Sequence, residues 1–170
     1  MNLDDVVLVL AVVTVGITAG VMFCYQITIM PGLRQLPDDR FIETFQRFDE
    51  QTVRPVFVGL MFFGGLVCLA TVAGLHVDER WSTRFTLLIA ATVVYLVGVI
   101  VLTIVWHVPR NNALAALSVP SMTVDELAAE RQKFEDPWVR GNIVRTLAAA
   151  AALALLGAAM VTNGVGTAIR

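Results

Sequence analysis

The sequence predicts an all-α protein: a four-helix transmembrane bundle with two short amphipathic helices in the long loops on one face. Three observations predict it. Four apolar runs each reach the roughly 18–20 residues needed to cross the hydrocarbon core of a bilayer. The charged residues are only 15% of a chain that is 57% hydrophobic, and they are gathered into blocks between those runs; a soluble domain carries about a quarter charged residues. The blocks are unequal, with a short turn between runs two and three and long connections on the opposite face. The 170 residues are expected to form one integral membrane domain in contact with lipid. A net charge of −2 offers no basic face to a nucleic acid.

The first run, residues 6–30, follows Asp4 and Asp5 and stops at Pro31-Gly32. It lacks a basic n-region and is too long for a signal h-region, so it is expected to be retained. Its Gly16 and Gly20 form a GxxxG, expected to let another helix of this chain approach closely. The second run, 55–77, opens on Pro55, which suits a first helical turn; Gly59, Gly64, Gly65 and Gly74 suggest close packing again. The third, 85–108, ends at Pro109. The fourth, 143–161, is alanine-rich, a thin helix suited to a position surrounded by protein. Cys24 and Cys68 lie at depths about 10 Å apart, too far for a disulfide, and are expected to be buried packing thiols.

In the first long loop, residues 37–52 read as an amphipathic helix with Phe41, Phe45 and Phe48 on one side and charges on the other. It lies in the membrane interface or caps the bundle as a lid. In the other, Thr123 and Glu126 form a capping box that starts a short helix over about 124–135, broken by Pro137. His76, Asp78 and Glu79 belong to a solvated turn with no assigned function. The loop-rich face carries Arg34, Arg40, Arg47, Arg54, Arg110, Arg131, Lys133 and Arg140, against Arg80, Arg84 and Arg170 on the other. An excess of basic residues marks the cytoplasmic side, so the long loops are expected in the cytoplasm of a bacterial cell membrane and both termini outside.

Polar residues at membrane depth are the functional candidates. His107, one of two histidines, is either an interfacial side chain beside Trp106 reaching for water or a general base kept neutral by an apolar cavity. No His, Cys or carboxylate cluster has metal-ligand spacing, so no metal is expected. Trp138, Asn142 and Arg145 share one helical face at i, i+4 and i+7. That face either anchors at the interface or turns inward to meet a ligand's oxygens. Tyr25 and Gln26 add hydrogen-bonding capacity at similar depth, and Arg54 stands beside Pro55. Of Asn111 and Asn112, at least one suits a turn or cap.

Four stretches carry a family resemblance: Met30-Pro31-Gly32-Leu33; Pro55-Val56-Phe57 through Phe62-Phe63-Gly64; Val108-Pro109 with Asn111 and Leu114; and Trp138 with Asn142, Arg145 and Thr146. In order and spacing they resemble the anthrone oxygenases, small four-helix membrane proteins of bacteria and fungi. The resemblance implies oxidation of an anthrone-type, flat apolar aromatic by molecular oxygen, with no metal or flavin cofactor. Taken with the polar residues above, His107, Arg145 and Asn142 are the expected catalytic residues and Gln26, Tyr25, Arg54, Asn111 and Trp138 the ligand-binding ones; of these, the resemblance itself covers Asn111, Trp138, Asn142 and Arg145. The chain departs from the family pattern at His107, where an asparagine is usual, near Asp49, where an asparagine is frequent, and at Arg110, which replaces an apolar residue. The alternative is a non-catalytic membrane module that binds lipid, quinone or a partner protein, as a homo-oligomer or an accessory subunit.

Overall fold

The computed structural model describes residues 3–52 and 54–166. Four helices are long and apolar enough to cross a membrane: α1 (Leu3–Leu33), α3 (Pro55–Leu75), α4 (Thr83–Ala115) and α5, which runs over Val124–Gly166. The amphipathic α2 (Asp38–Thr52) follows α1. No strand occurs among the described residues.

The bundle is apolar outside as well as inside. Val9, Val13 and Ile17 on α1, and Val97, Ile104 and Val105 on α4, are exposed, as expected where the surroundings are lipid tails. The inner core joins Val15, Leu69, Val72, Leu88, Tyr95, Val99, Ala152 and Leu156. Helices associate in lipid through small residues and polar contacts, and both occur here. Thr18 and Tyr95 share a hydrogen bond at 3.2 Å. Gly65 lies beneath the Tyr95 ring, and Gly98 lies so close to Ala148 that a Cβ would stand 2.4 Å from the alanine's own. Gly16, Gly20, Gly59 and Gly74 meet nothing at that range. The GxxxG is thus not an intramolecular contact; the close approaches lie at Gly65, Gly98 and Gly141 instead.

A second apolar cluster forms a head on the loop-rich end, from Met30, Leu33, Phe41, Ile42, Phe45, Leu114, Leu127, Phe134 and Trp138. This decides the place of α2, which is a lid. Phe45 packs edge-on against Phe134 and Trp138, with ring centroids 4.6 and 5.4 Å apart. Gln46 donates to the carbonyls of Leu114 and Leu117 at and just past the end of α4. Arg131 donates to Asp38, to Glu135 and to the carbonyls of Arg34 and Leu36, fixing the α1–α2 turn to α5.

Three expected breaks do not occur. Pro31 and Pro109 each follow a widened, π-type turn, closed by Met30 N–H to Tyr25 O and by Val108 N–H to Thr103 O. The wider turn relieves the clash between a proline ring and the preceding carbonyl, so α1 and α4 continue to Leu33 and Ala115. The capping box at Thr123 and Glu126 forms as expected, but the helix it starts continues through Pro137 into α5. Proline costs a helix about 3 kcal/mol. Burial of Phe134 and Trp138 on either side of it, at roughly 1.5–3 kcal/mol each, outweighs that.

Two other expectations are corrected. His76 is buried, its Nδ1 2.9 Å from the Val72 carbonyl and its Nε2 3.5 Å from Asp4, which also accepts from Arg84 at 3.0 Å. It closes the far end of the bundle and does not sit in a solvated turn. Cys24 is exposed on the outer surface and Cys68 only partly buried. Gly98→Val should lower stability by about 1–3 kcal/mol, because the added methyls overpack Ala148. Gly16→Ala should be neutral or stabilising by up to about 1 kcal/mol. Thermal unfolding of both variants in detergent checks this, and an equal loss at both positions would refute the packing assignment.

Candidate functional site

The widened turns all fall in the half of the bundle next to the head: Tyr25–Ile29 in α1, Gly59–Gly64 in α3, and Leu96–Val101 and Thr103–His107 in α4. Such turns rotate the following side chains off the regular helical face and recur at functional sites. Here Tyr25, Phe62, Ile100, Thr103 and His107 border one space, with the exposed Phe63 and Ile104 at its edge. The result is a cavity of about 230 Å³ between α1, α3, α4 and α5, roofed by Phe45, Asp49 and Thr52 of α2. The Gly59–Gly64 stretch of α3 packs chiefly on α1, and the facing half of α4 chiefly on α5. The space between them is where the cavity lies.

Its walls are mostly aromatic and aliphatic, and the polar groups are few and linked. Trp138 stands at the centre. Its indole N–H donates to Asn111 Oδ1 at 3.0 Å, and Asn111 Nδ2 donates to Asp49 at 2.7 Å. The same indole meets the His107 ring edge-on at 5.1 Å and the Tyr25 ring at 5.7 Å, and the Arg145 guanidinium lies 5.5 Å from its centroid. Arg145 donates to Thr103 Oγ1 at 3.2 Å and to Asn142 Oδ1 at 3.0 Å. Asn142 is fully engaged: its amide nitrogen donates to Met22 O and Gln26 Oε1 at 3.1 Å each. Both His107 ring nitrogens and Arg145 Nε are buried without a side-chain partner, with the Gly141 backbone beside His107; Arg84 Nε and Asp4 Oδ1 share this state at the far end of the bundle. That is an uncommon state for buried polar atoms. Gly141 makes this geometry possible, since a Cβ there would meet Trp106 and stand 2.8 Å from His107 Nε2.

Of the residues singled out from sequence, Tyr25, His107, Asn111, Trp138, Asn142 and Arg145 line the cavity. The face carrying Trp138, Asn142 and Arg145 turns inward, and His107 is 1% exposed, so neither is an interfacial anchor. Gln26 stands behind Asn142 and reaches the cavity only through it. Arg54 is exposed and is not part of the wall. Asn142 meets no open space with its amide; it orients Arg145. The sequence reading missed Asp49, Thr52 and Thr103. Asp49 left a signal: it follows Phe41 and Phe45 at i+8 and i+4, a carboxylate on the apolar face of an amphipathic helix. Thr103 left none, because its inward direction depends on the widened turn. Among the described residues, no three His, Cys, Asp or Glu side chains are grouped to hold a metal ion.

Residues 54–155 match the family model described as anthrone oxygenase. The matched span runs from α3 into α5 and carries His107, Asn111, Trp138, Asn142 and Arg145; Tyr25, Gln26 and Asp49 precede it. Neither the comparison with curated proteins nor that with solved structures gave a match.

Burial raises the Asp49 carboxyl above its ordinary value, while hydrogen bonds from Asn111 and Thr52 act in the opposite direction. A carboxyl raised by folding stabilises the fold below its ordinary pKa, and that contribution is lost as pH rises through the raised value. Asp49→Asn keeps an acceptor for Asn111 and removes the charge. It should be at least as stable as wild type at pH 7, without the decline above the acid range. Asp49→Ala strands the Asn111 donor and should cost about 1–3 kcal/mol. Thermal unfolding as a function of pH measures both, and an unchanged pH profile in Asp49→Asn would contradict the assignment.

Proposed function

The chain belongs to the anthrone oxygenase family, and from that premise we propose that it is a membrane oxygenase of flat apolar aromatic molecules that works without a cofactor. The observation that carries the reading is an apolar cavity reaching Arg145, with the unpartnered nitrogens of His107 and Arg145 in its wall. A cavity of mainly apolar lining with a few convergent polar groups is the usual form of a small-molecule site. A filled core would have favoured the non-catalytic alternative.

The chemistry follows from the groups present. An anthrone-type CH2 flanked by aromatic rings and conjugated to a carbonyl is a carbon acid. His107, neutral and without another partner, accepts its proton. The electron pair delocalises onto the carbonyl oxygen, where Arg145 donates, held in place by Asn142, Gln26 and Thr103. The electron-rich anion then reduces dioxygen. Over the whole reaction CH2 and O2 become C=O and H2O, so no external reductant is consumed. Trp138, Tyr25 and Phe45 supply flat surfaces for the rings, and the α2 lid keeps water from the anion. We place the loop-rich face in the cytoplasm, supported by its excess of arginines.

Purified protein given anthrone under air should take up oxygen faster than the protein-free control, and form no quinone under nitrogen. Uptake equal to the control removes the oxygenase reading. Arg145→Ala should lower kcat/KM by roughly 10²–10³. His107→Ala should lower it by roughly 10²–10⁴; undiminished activity there or in His107→Asn, which restores the residue usual in the family, would assign the proton to another acceptor. For sidedness, Asp125→Cys in a background lacking Cys24 and Cys68 should react with a membrane-impermeant maleimide in inverted vesicles and not in intact cells. The opposite pattern reverses the topology.

A further inference from the structure

We propose that the cavity takes its ligand as an anion: an apolar aromatic acid whose ionised oxygen lies against Arg145. The inference rests on the reading of Arg145 as a ligand residue and adds the charge state that the site selects. Arg145 is only 7% exposed, and its partners, Thr103 Oγ1 and Asn142 Oδ1, are neutral. Among the described residues it forms no ion pair, and its Nε has no partner at all.

The other withdrawn arginines of this chain differ in having a counter-charge, although Arg84 Nε is likewise unpartnered. Arg84, equally buried, is paired with Asp4, and Arg131 with Asp38 and Glu135. A buried charge without its counter-charge is strongly unfavourable, so the exception at Arg145 points to a counter-charge that arrives from outside the chain. The acid lining the same cavity is not that partner. Asp49 is bound to Asn111 and Thr52, on the N–H edge of Trp138, whereas Arg145 approaches the ring.

His107 fits the same ligand. No side chain engages either nitrogen and only the Gly141 backbone lies beside the ring, so a neutral imidazole can donate to the second oxygen of a carboxylate or to a neighbouring oxygen on the ring. The space above is lined by Phe45, Phe57 and Phe62, which suits an apolar ring system and not a sugar or phosphate. Depth argues for a free acid over a lipid headgroup. Asn142, to which Arg145 donates, meets α1 at Met22 and Gln26, and Gln26 precedes the end of α1 at Leu33 by about 10 Å of helix.

The test uses the full chain in phosphatidylcholine nanodiscs with two probes of the same shape, 2-naphthoate and 2-naphthamide, followed by quenching of tryptophan fluorescence at neutral pH. Naphthoate should bind at least about tenfold more tightly than the amide. Arg145→Gln, which keeps a donor and loses the charge, should abolish the preference, and Arg145→Lys should retain it. Equal binding of the two probes by wild type, or a preference that survives in Arg145→Gln, overturns the proposal. The wild-type ratio decides even if Arg145→Gln does not fold. Phosphatidate in the nanodiscs should leave naphthoate binding unchanged; displacement would assign the anion to a headgroup and overturn the free-acid assignment. Anthrone-dependent oxygen uptake without a naphthoate preference removes the anion and leaves the oxygenase, and the converse result removes the oxygenase alone.

Discussion

The indole of Trp138 is the point through which the two halves of the molecule constrain each other. One edge belongs to the head, packed against Phe45 and Phe134. Its nitrogen is committed to Asn111, and Asn111 in turn to Asp49 on the lid. Its face and far edge belong to the cavity, against His107, Tyr25 and Arg145. A side chain held from so many directions has one available rotamer, and the groups around it inherit that fixity. The polar chain from Asp49 to Trp138 therefore ties the position of α2 to the walls of the site beneath it. Lid and cavity form one structural unit, although they are separated by most of the sequence.

The second constraint is the relation between proline and the widened turns. Pro31 and Pro109 directly follow two of these turns, so the residues that carry the family resemblance at the ends of α1 and α4 also bear on the local geometry. The extra residue in each turn rotates Tyr25 in one case, and Thr103 and His107 in the other, off the direction that a regular helix would give them. Arg145 and Asn142 need no such device, because α5 is regular at that level. The cavity is thus assembled from three irregular helices, α1, α3 and α4, and one helix without a widened turn, α5, which supplies the charged group.

Much of this was legible in the sequence, and the limits have physical reasons. The spanning helices follow from run length and charge segregation, which depend on no tertiary detail. The inward face of α5 was visible as the spacing of Trp138, Asn142 and Arg145, since a helical period survives in any environment. What period alone leaves open is which side of an amphipathic helix finds a partner, and so α2 could be read as interfacial or as a lid until Phe134 was seen against Phe45. Pro137 misled because helix-breaking is a local tendency, here overridden by aromatic burial on both sides. The glycines misled for the opposite reason: a small residue permits close approach without requiring it. Gly98 and Gly141 are used in this way, and Gly16 and Gly20 are not. Asp49 is the clearest lesson, a carboxylate on the apolar stripe of α2 whose meaning lies in its pairing with Asn111.

The bonds at the far end of the bundle bear on how the site can move. Asp4 of α1 is joined to Arg84 at the start of α4 and to His76 just past α3, so three helices are pinned together at one extremity. Tyr95 over Gly65 and Gly98 against Ala148 hold the middle. Toward the head, α3 leans on α1 and leaves α4, and only the α2 lid bridges the end of the gap. The molecule is built like a pair of tongs, riveted at the tail and tied across the open end by α2. The fewest cross-links lie between α3 and α4 on the loop-rich side, next to the cavity.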